Sequence, residues 1–226
     1  MRIGVVIPAF NEENAISAVI DEIPKDIVEE IVVVDNNSTD ATYEKAKSKG
    51  VTVLREQRSG YGSACLKGIE YFKNNNPVDV LVFLDGDHSD YPSEMPNLLA
   101  PIQDDEVDLV IGSRALGVKE RGSMTPQQIF GNWLATRLIK LFYGVVFTDL
   151  GPFRAVKFDS LMAMEMCDTN YGWTVEMQLK AAKHGMKSTE VPVNYRKRIG
   201  VSKISGTVKG TVSAGYKIIW TIFKYL

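Results

Sequence analysis

Leu81-Val82-Phe83-Leu84-Asp85-Gly86-Asp87-His88-Ser89-Asp90 is an apolar run that passes directly into a carboxylate-rich turn. A short, continuous apolar run bounded by turn residues reads as a strand buried on both faces, the kind found in parallel sheets. Ligands of open α/β sheets gather at the carboxyl ends of the strands, and here that end carries Asp85 and Asp87 around a small Gly86 that lets the backbone turn. Paired hard-oxygen ligands of this kind suit Mg²⁺ or Mn²⁺ gripping a nucleotide diphosphate. Alone the pattern does not decide the matter, because the same aspartates could simply cap a turn and the next helix.

The signature recurs on either side. Residues 2–8 and 31–35 are continuous apolar runs, and shorter ones lie at 51–54, 80–84 and 107–111. Helical patterns fall between them at 12–23, 40–49, 63–73 and 94–102, the second with Ser38 or Thr39 as N-cap and Gly50 beyond its end. Repeated βα units predict an α/β fold, an open, mostly parallel sheet with helices on both faces. After residue 113 the rhythm breaks, and helical patterns at 128–142, 160–166 and 174–183 mix with short strands near 153–156 and 189–195.

Composition sets further bounds. With 226 residues and 45% apolar content the chain can bury a substantial core. Cys65 and Cys167 show neither metal-ligand nor disulfide spacing, which predicts a reduced, cytoplasmic setting. Met1 leads straight into a strand without signal-peptide architecture, and no apolar run reaches the about 18 residues of a membrane-spanning helix. Charge is divided unevenly: all 28 acidic residues lie within 1–190, whereas 191–226 holds seven Lys or Arg and no acid. Such a segment predicts an anionic partner, with phosphates or a membrane surface preferred here to nucleic acid.

Three strand ends carry polar clusters: Pro8-Ala9-Phe10-Asn11-Glu12-Glu13, Asp35-Asn36-Asn37-Ser38-Thr39-Asp40 and Asp85-Gly86-Asp87. All should converge on one crevice. Helix capping accounts for Asn11 and Ser38, but less readily for Asp35 at the close of an apolar strand, where a carboxylate can accept from a nucleobase or ribose. Gly60-Tyr61-Gly62-Ser63-Ala64-Cys65 imitates a dinucleotide-binding fingerprint, yet it lacks the third glycine and follows the third strand. A phosphate-side or base-side loop at Gly60 and Gly62 fits better. His88 and His184 have no His or Cys at metal-ligand spacing and read as structural.

Taken together, Val6-Ile7-Pro8-Ala9-Phe10-Asn11-Glu12, Val34-Asp35-Asn36-Asn37-Ser38-Thr39-Asp40-Ala41-Thr42, Asp85-Gly86-Asp87 and Ile111-Gly112-Ser113-Arg114 resemble the family 2 glycosyltransferases with the GT-A fold. Thr148-Asp149-Leu150-Gly151-Pro152-Phe153-Arg154-Ala155 and the segment from Tyr195 to Lys203 are similar to the subgroup of dolichyl- and polyprenyl-phosphate mannose or glucose synthases. The resemblance implies that Pro8, Phe10, Glu12 and Asp35 hold nucleobase and ribose, that Asp85 and Asp87 bind a divalent metal (Mg²⁺ or Mn²⁺) with the diphosphate, and that Arg114 lies near donor sugar and acceptor. It further implies that Arg198, Ser202 and Lys203 form a basic loop over the diphosphate and a lipid phosphate. A solvated strand end is the competing account of Arg196 to Arg198. Asn36 and Ser89 depart from the family pattern, where an aspartate and, in the mannose synthases, a glutamine are usual, so donor base and sugar stay open.

The expected organisation is a GT-A catalytic domain over 1–206, with a nucleotide-binding half (1–114) and an acceptor-side half (115–206), followed by an amphipathic helix at 207–226. In that helix Lys209, Lys217 and Lys224 interleave with Tyr216, Trp220, Phe223 and Tyr225, as in helices lying on anionic lipid. The amphipathic stretch 129–142 reads as core or homo-oligomer contact before lipid contact. The expected activity is inverting transfer from a nucleotide-diphospho-sugar to a polyprenyl phosphate by a peripheral membrane protein. A hydroxyl acceptor is the alternative and would need a general base, for which Glu176 or Asp149 is the candidate, although Glu176 could equally cap or pair with Arg114. A sugar-nucleotide-binding protein without turnover is the reading of another class, disfavoured by the intact Asp85/Asp87 pair.

Overall fold

The computed structural model describes residues 1–200 and 208–226. The apolar runs become β1 (Ile3–Ala9), β2 (Glu30–Asp35), β3 (Thr52–Arg55), β4 (Val80–Phe83) and β5 (Leu109–Ser113), joined by β6 (Arg154–Lys157) and β7 (Ser188–Pro192) in one seven-stranded sheet of order β3-β2-β1-β4-β6-β5-β7. Every pairing is parallel except those of β6, which runs antiparallel between β4 and β5.

Alternate side chains of a strand point to opposite faces, so each apolar run feeds two cores. Val6, Val32, Val34, Leu81 and Phe83 enter one core; Val5, Ile7, Val33, Val80 and Val82 enter the other. The second is closed by α1 (Ile16–Glu22), α2 (Thr42–Ser48) and α4 (Met95–Gln103). The first is closed by α3 (Tyr61–Asn74), α5 (Pro126–Tyr143), α6 (Phe158–Ala163), α7 (Trp173–Lys183) and α8 (Val208–Lys224). Among these, α5 shows its boundaries locally: Thr125 and Gln128 form a reciprocal capping box, Pro126 opens the helix, and Gly144 at φ 71° ends it.

Two helix starts differ from the sequence expectation. Neither Ser38 nor Thr39 caps α2; Ser38 Oγ accepts from Asn11 N at 3.0 Å, and Thr39 N donates to Asn11 Oδ1 at 2.8 Å. Asp40 takes over the local role, accepting from Thr42 N at 3.0 Å. Likewise α1 starts at Ile16 rather than residue 12, because Glu12 N and Glu13 N donate to Thr42 Oγ1 and Asp40 Oδ2. The polar clusters after β1 and β2 are thus spent on stitching the two loops together, which fixes the mouth of the sheet.

The C-terminal helix α8 is docked on the domain. Thr221 and Ile222 are buried, the Tyr143 hydroxyl donates to the Ile222 carbonyl at 2.8 Å, and the Phe142 and Phe223 rings meet edge to face at 5.4 Å. Lys217, read from sequence as a lipid-facing cation, instead pairs with Asp168 at 2.9 Å. Val212, Tyr216, Trp220 and Phe223 stay exposed. Among the described residues no helix is long and apolar enough to cross a membrane. Ile222→Ala should therefore cost about 2–4 kcal/mol in urea unfolding, the range for truncating a buried aliphatic side chain. Trp220→Ala on the open face should change stability by less than about 1 kcal/mol.

Candidate active site

Pro8, Phe10, Glu12, Gly60, Asp85, Asp87 and Arg198 come together around one cavity of about 340 Å³ at the carboxyl ends of β1 and β4. Asn36, from the second polar cluster, also lines it, and so do Tyr61, Asn170 and Tyr171, which the sequence reading did not name as site residues. Asn170 and Tyr171 arrive by tertiary packing alone: the Thr169 carbonyl accepts from Ser63 N at 3.0 Å, seating residues 167–172 against the start of α3. Only glycine allows this approach, since a Cβ at Gly60 would lie 2.1 Å from the Thr169 oxygen and one at Gly62 2.0 Å from the Asp168 oxygen. This close packing, not a dinucleotide fingerprint, accounts for the glycine pair.

Asp35 stands beside the cavity rather than in its wall, with Oδ1 accepting from Ser38 N at 3.3 Å. Asn36 holds the loop ahead of α3, its Nδ2 donating to the Glu56 and Arg58 carbonyls and its Oδ1 accepting from Gly60 N. An aspartate in its place could not make the two donations.

The acidic turn is the electrostatic centre. Asp87 is buried, with Oδ1 accepting from Ser89 N (2.9 Å) and Oγ (2.5 Å) and Oδ2 paired with Arg198 at 2.8 Å. Ser89, noted only as a departure, therefore orients the second motif aspartate. Arg198 also reaches Glu12 at 3.2 Å, and its buried Nε has no hydrogen-bond partner. Its position is set by backbone bonds, Arg196 N to the Ser89 carbonyl and Ile199 N to the Asp87 carbonyl, so residues 196–199 lie along the turn instead of forming a solvated strand end. Arg196 itself pairs with Glu22 at 2.6 Å, which also receives the His88 ring, so His88 is structural.

Asp85 Oδ1 is buried without a hydrogen-bond partner, and burial, with Asp87 alongside, pushes its carboxyl up to about 7. Asp90, the last carboxylate of the quoted turn and given no site role from sequence, is buried with neither oxygen hydrogen-bonded among the described residues, and is pushed well above the usual range by burial and then by Asp85 and Asp87. Among the described residues no three carboxylate, imidazole or thiol groups converge to enclose an ion. Asp85 and Asp87 could hold a divalent ion only with further ligands, as where Mg²⁺-type ions take substrate phosphate oxygens.

Arg114 follows β5 and is held by Asp149 through Nε (2.8 Å) and Nη2 (2.7 Å), with its backbone N on the same carboxylate. Burial opposes its charge, but Asp149 more than offsets this and raises its pKa. Arg114 is close enough to Asp85 and Asp90 to favour their charged forms, while Asp149 lines a second cavity of about 380 Å³. That cavity carries Lys119, Arg137 and Lys140, which make no ion pair among the described residues, beside Ile129, Trp133 and Val146.

Glu176 does not join either cavity. It is fully buried in α7, accepting from Cys167 N, Asp168 N at 2.7 Å and the Tyr225 hydroxyl at 2.5 Å, and pairing with Lys180 at 3.0 Å. The geometry therefore counts against Glu176 as a catalytic base and against its pairing with Arg114, whose partner is Asp149. Arg154, quoted from sequence only within a resemblance, is fully buried in β6 and spends its guanidinium on the carbonyls of Leu150, Gly151 and Thr174; burial pushes it down to about 10. Ser202 and Lys203 lie outside the described residues.

Comparison with known proteins agrees with this geometry. The family model "Glycosyl transferase family 2" matches residues 4–164. An uncharacterised glycosyltransferase of Mycobacterium tuberculosis is 32% identical over 216 residues, covering 94% of each chain. An undecaprenyl-phosphate mannosyltransferase of Micrococcus luteus is 29% identical over 222 residues, covering 93% of this chain and 90% of the relative. The fold matches glucosyl-3-phosphoglycerate synthase of Mycobacterium tuberculosis, crystallised with Mn²⁺, UDP-glucose and phosphoglyceric acid, with a TM-score of 0.79 at 23% identity over 99% of this chain and 79% of that one. With a parallel sheet that ends in a paired-aspartate cavity and a family match across most of its length, this chain belongs to glycosyltransferase family 2 and has the GT-A fold.

Proposed function

We propose that the protein transfers a sugar from a UDP- or GDP-linked donor to the phosphate of a polyprenyl lipid at a membrane surface, inverting the anomeric carbon. The donor's base lies beside Pro8 and Phe10, and its diphosphate lies at Asp85, Asp87 and Arg198. A divalent ion, Mg²⁺ or Mn²⁺, fits the unpartnered Asp85 oxygen and Asp87, and when bound it supplies positive charge that eases departure of the nucleotide diphosphate. Arg198 adds fixed positive charge to the same oxygens as the sugar–oxygen bond breaks. Ser89 keeps Asp87 aimed throughout.

The observation that carries the acceptor is the second cavity, which joins three cations that make no ion pair among the described residues to apolar walls and touches Arg114 through Asp149. Lys119, Arg137 and Lys140 match a phosphate head, and Ile129, Trp133 and Val146 match a hydrocarbon chain. An acceptor phosphate is already anionic, so its oxygen attacks the anomeric carbon with its own electron pair and needs no base. A sugar hydroxyl would need one, and Asp149 is committed to Arg114 while Glu176 is committed to the Tyr225 network. The Micrococcus luteus relative acts on the lipid class proposed here by its name. The exposed Phe130, Trp133, Tyr216 and Trp220 support peripheral contact with a bilayer.

Thermal shift with UDP- and GDP-sugars should show one base raising the melting temperature only when Mn²⁺ or Mg²⁺ is present, as mass action requires of a true ligand. Asp87→Ala should remove that metal-dependent increment and leave the metal-free protein folded; an undiminished increment would overturn the donor-site assignment.

Metal affinity should follow pH. Asp85 must lose its proton to bind a cation, so with its carboxyl near 7 the apparent affinity should rise up to about pH 7 and then level, falling about tenfold per unit below it. Titration with Mn²⁺ followed by electron paramagnetic resonance checks this.

Arg137→Ala should raise KM for undecaprenyl phosphate several-fold, with an effect that shrinks at high salt, and leave donor KM unchanged. Equal activity with a free sugar acceptor and none with the lipid phosphate would reverse the acceptor assignment.

A further inference from the structure

Lys217 on the helix read from sequence as a lipid-contacting appendage, and Tyr225 just past its end, reach the segment 167–172 that borders the donor cavity. Lys217 Nζ lies 2.9 Å from Asp168 Oδ2, and Asp168 Oδ1 accepts from Asn170 N at 2.8 Å and Gly172 N at 3.2 Å. At the penultimate described residue, the Tyr225 hydroxyl donates to Glu176, whose carboxylate also accepts from Cys167 N and Asp168 N. Asn170 and Tyr171, the residues so framed, line the donor cavity. Contact is tight at the helix itself, since a Cβ at Gly172 would lie 2.5 Å from Thr221 Oγ1. Glu176 is held ionised against burial by the Tyr225 and Cys167 hydrogen bonds, which keeps it a strong acceptor for the loop amides.

We propose that Lys217 and Tyr225 are positioning residues for the donor: α8 holds residues 167–172 in the conformation that presents Asn170 and Tyr171 to the nucleotide. The inference rests on the donor-site reading above and extends it to an element that touches no substrate. The Asp168 carboxylate is shared, with loop amides on Oδ1 and Lys217 on Oδ2, while Glu176 takes the Cys167 amide and the Tyr225 hydroxyl on one oxygen.

The test compares Lys217→Met, Lys217→Arg and Tyr225→Phe in the full chain by isothermal titration with UDP and GDP plus Mn²⁺, amide hydrogen exchange over residues 168–172, and melting temperature. Lys217→Met should weaken binding of the nucleotide by roughly three- to thirtyfold, the range for mutations that act through a packed network. It should also speed exchange at Asn170 and Gly172, with melting within a few degrees of wild type. Lys217→Arg, which keeps the ion pair, should restore both readouts. Unchanged affinity and exchange in Lys217→Met and Tyr225→Phe would overturn the proposal and leave α8 as core packing only. If wild type bound neither UDP nor GDP, the donor-site reading would fail, and exchange at Asn170 and Gly172 would still decide whether Lys217 holds the loop. Should Lys217→Met not fold, Tyr225→Phe, which deletes a single hydroxyl, carries the same comparison.

Discussion

Charge compensation at the end of β4 is the constraint on which the rest of this structure depends. Asp85, Asp87 and Asp90 fall in one turn, with Asp87 and Asp90 buried and Asp85 Oδ1 out of contact with solvent. Carboxylates so placed are costly unless cations or hydrogen bonds reach them. The first half of the chain supplies few of these, chiefly the Ser89 bonds to Asp87. Arg114 comes from the end of β5, and Arg198 is carried back by backbone bonds between residues 196–199 and the turn itself. Among the described residues Asp85 Oδ1 and both Asp90 oxygens have no hydrogen-bond partner, and burial with the neighbouring carboxylates raises the pKa of each group.

The other half of the sheet follows from the same requirement. Antiparallel β6 sits between β4 and β5 and opens a gap in the parallel series, so the ends of β4 and β5 flank the strand that bears Arg154. Arg154 is satisfied by three main-chain carbonyls around residues 150–174, which ties the Asp149 loop to the start of α7. Asp149 then clamps Arg114 and forms one wall of the second cavity. The Arg114–Asp149 pair thus lies between the two cavities: Asp149 lines the second, and Arg114 acts electrostatically on Asp85 and Asp90 at the first.

Much of this was legible in the sequence. Continuous apolar runs ending in polar clusters specified parallel strands and the end of the sheet where the site lies, because period, composition and strand ends are local properties. The Asp85/Asp87 turn and the cluster from Pro8 to Glu13 could be placed for that reason, while the roles of Pro8, Phe10 and Glu12 came from the family resemblance. The N-caps assigned to Ser38 and Thr39 failed because those side chains had partners on another loop, a distance of 27 or 28 residues along the chain. Asn170 and Tyr171 were invisible for the same reason, since only the close approach of Thr169 to Gly60 brings them to the cavity.

What the sequence by itself determined, then, was the layered α/β architecture, the paired-aspartate turn and the charge imbalance of the C-terminal segment. Only the tertiary structure decided which partner each charge takes. Asp149 rather than Glu176 binds Arg114, Lys217 turns inward to Asp168, and Asp90 joins the acidic centre. The physical reason is range: apolar periodicity is written within a few residues, whereas a buried charge selects the nearest group that can satisfy it in space, and sequence separation carries no record of that choice.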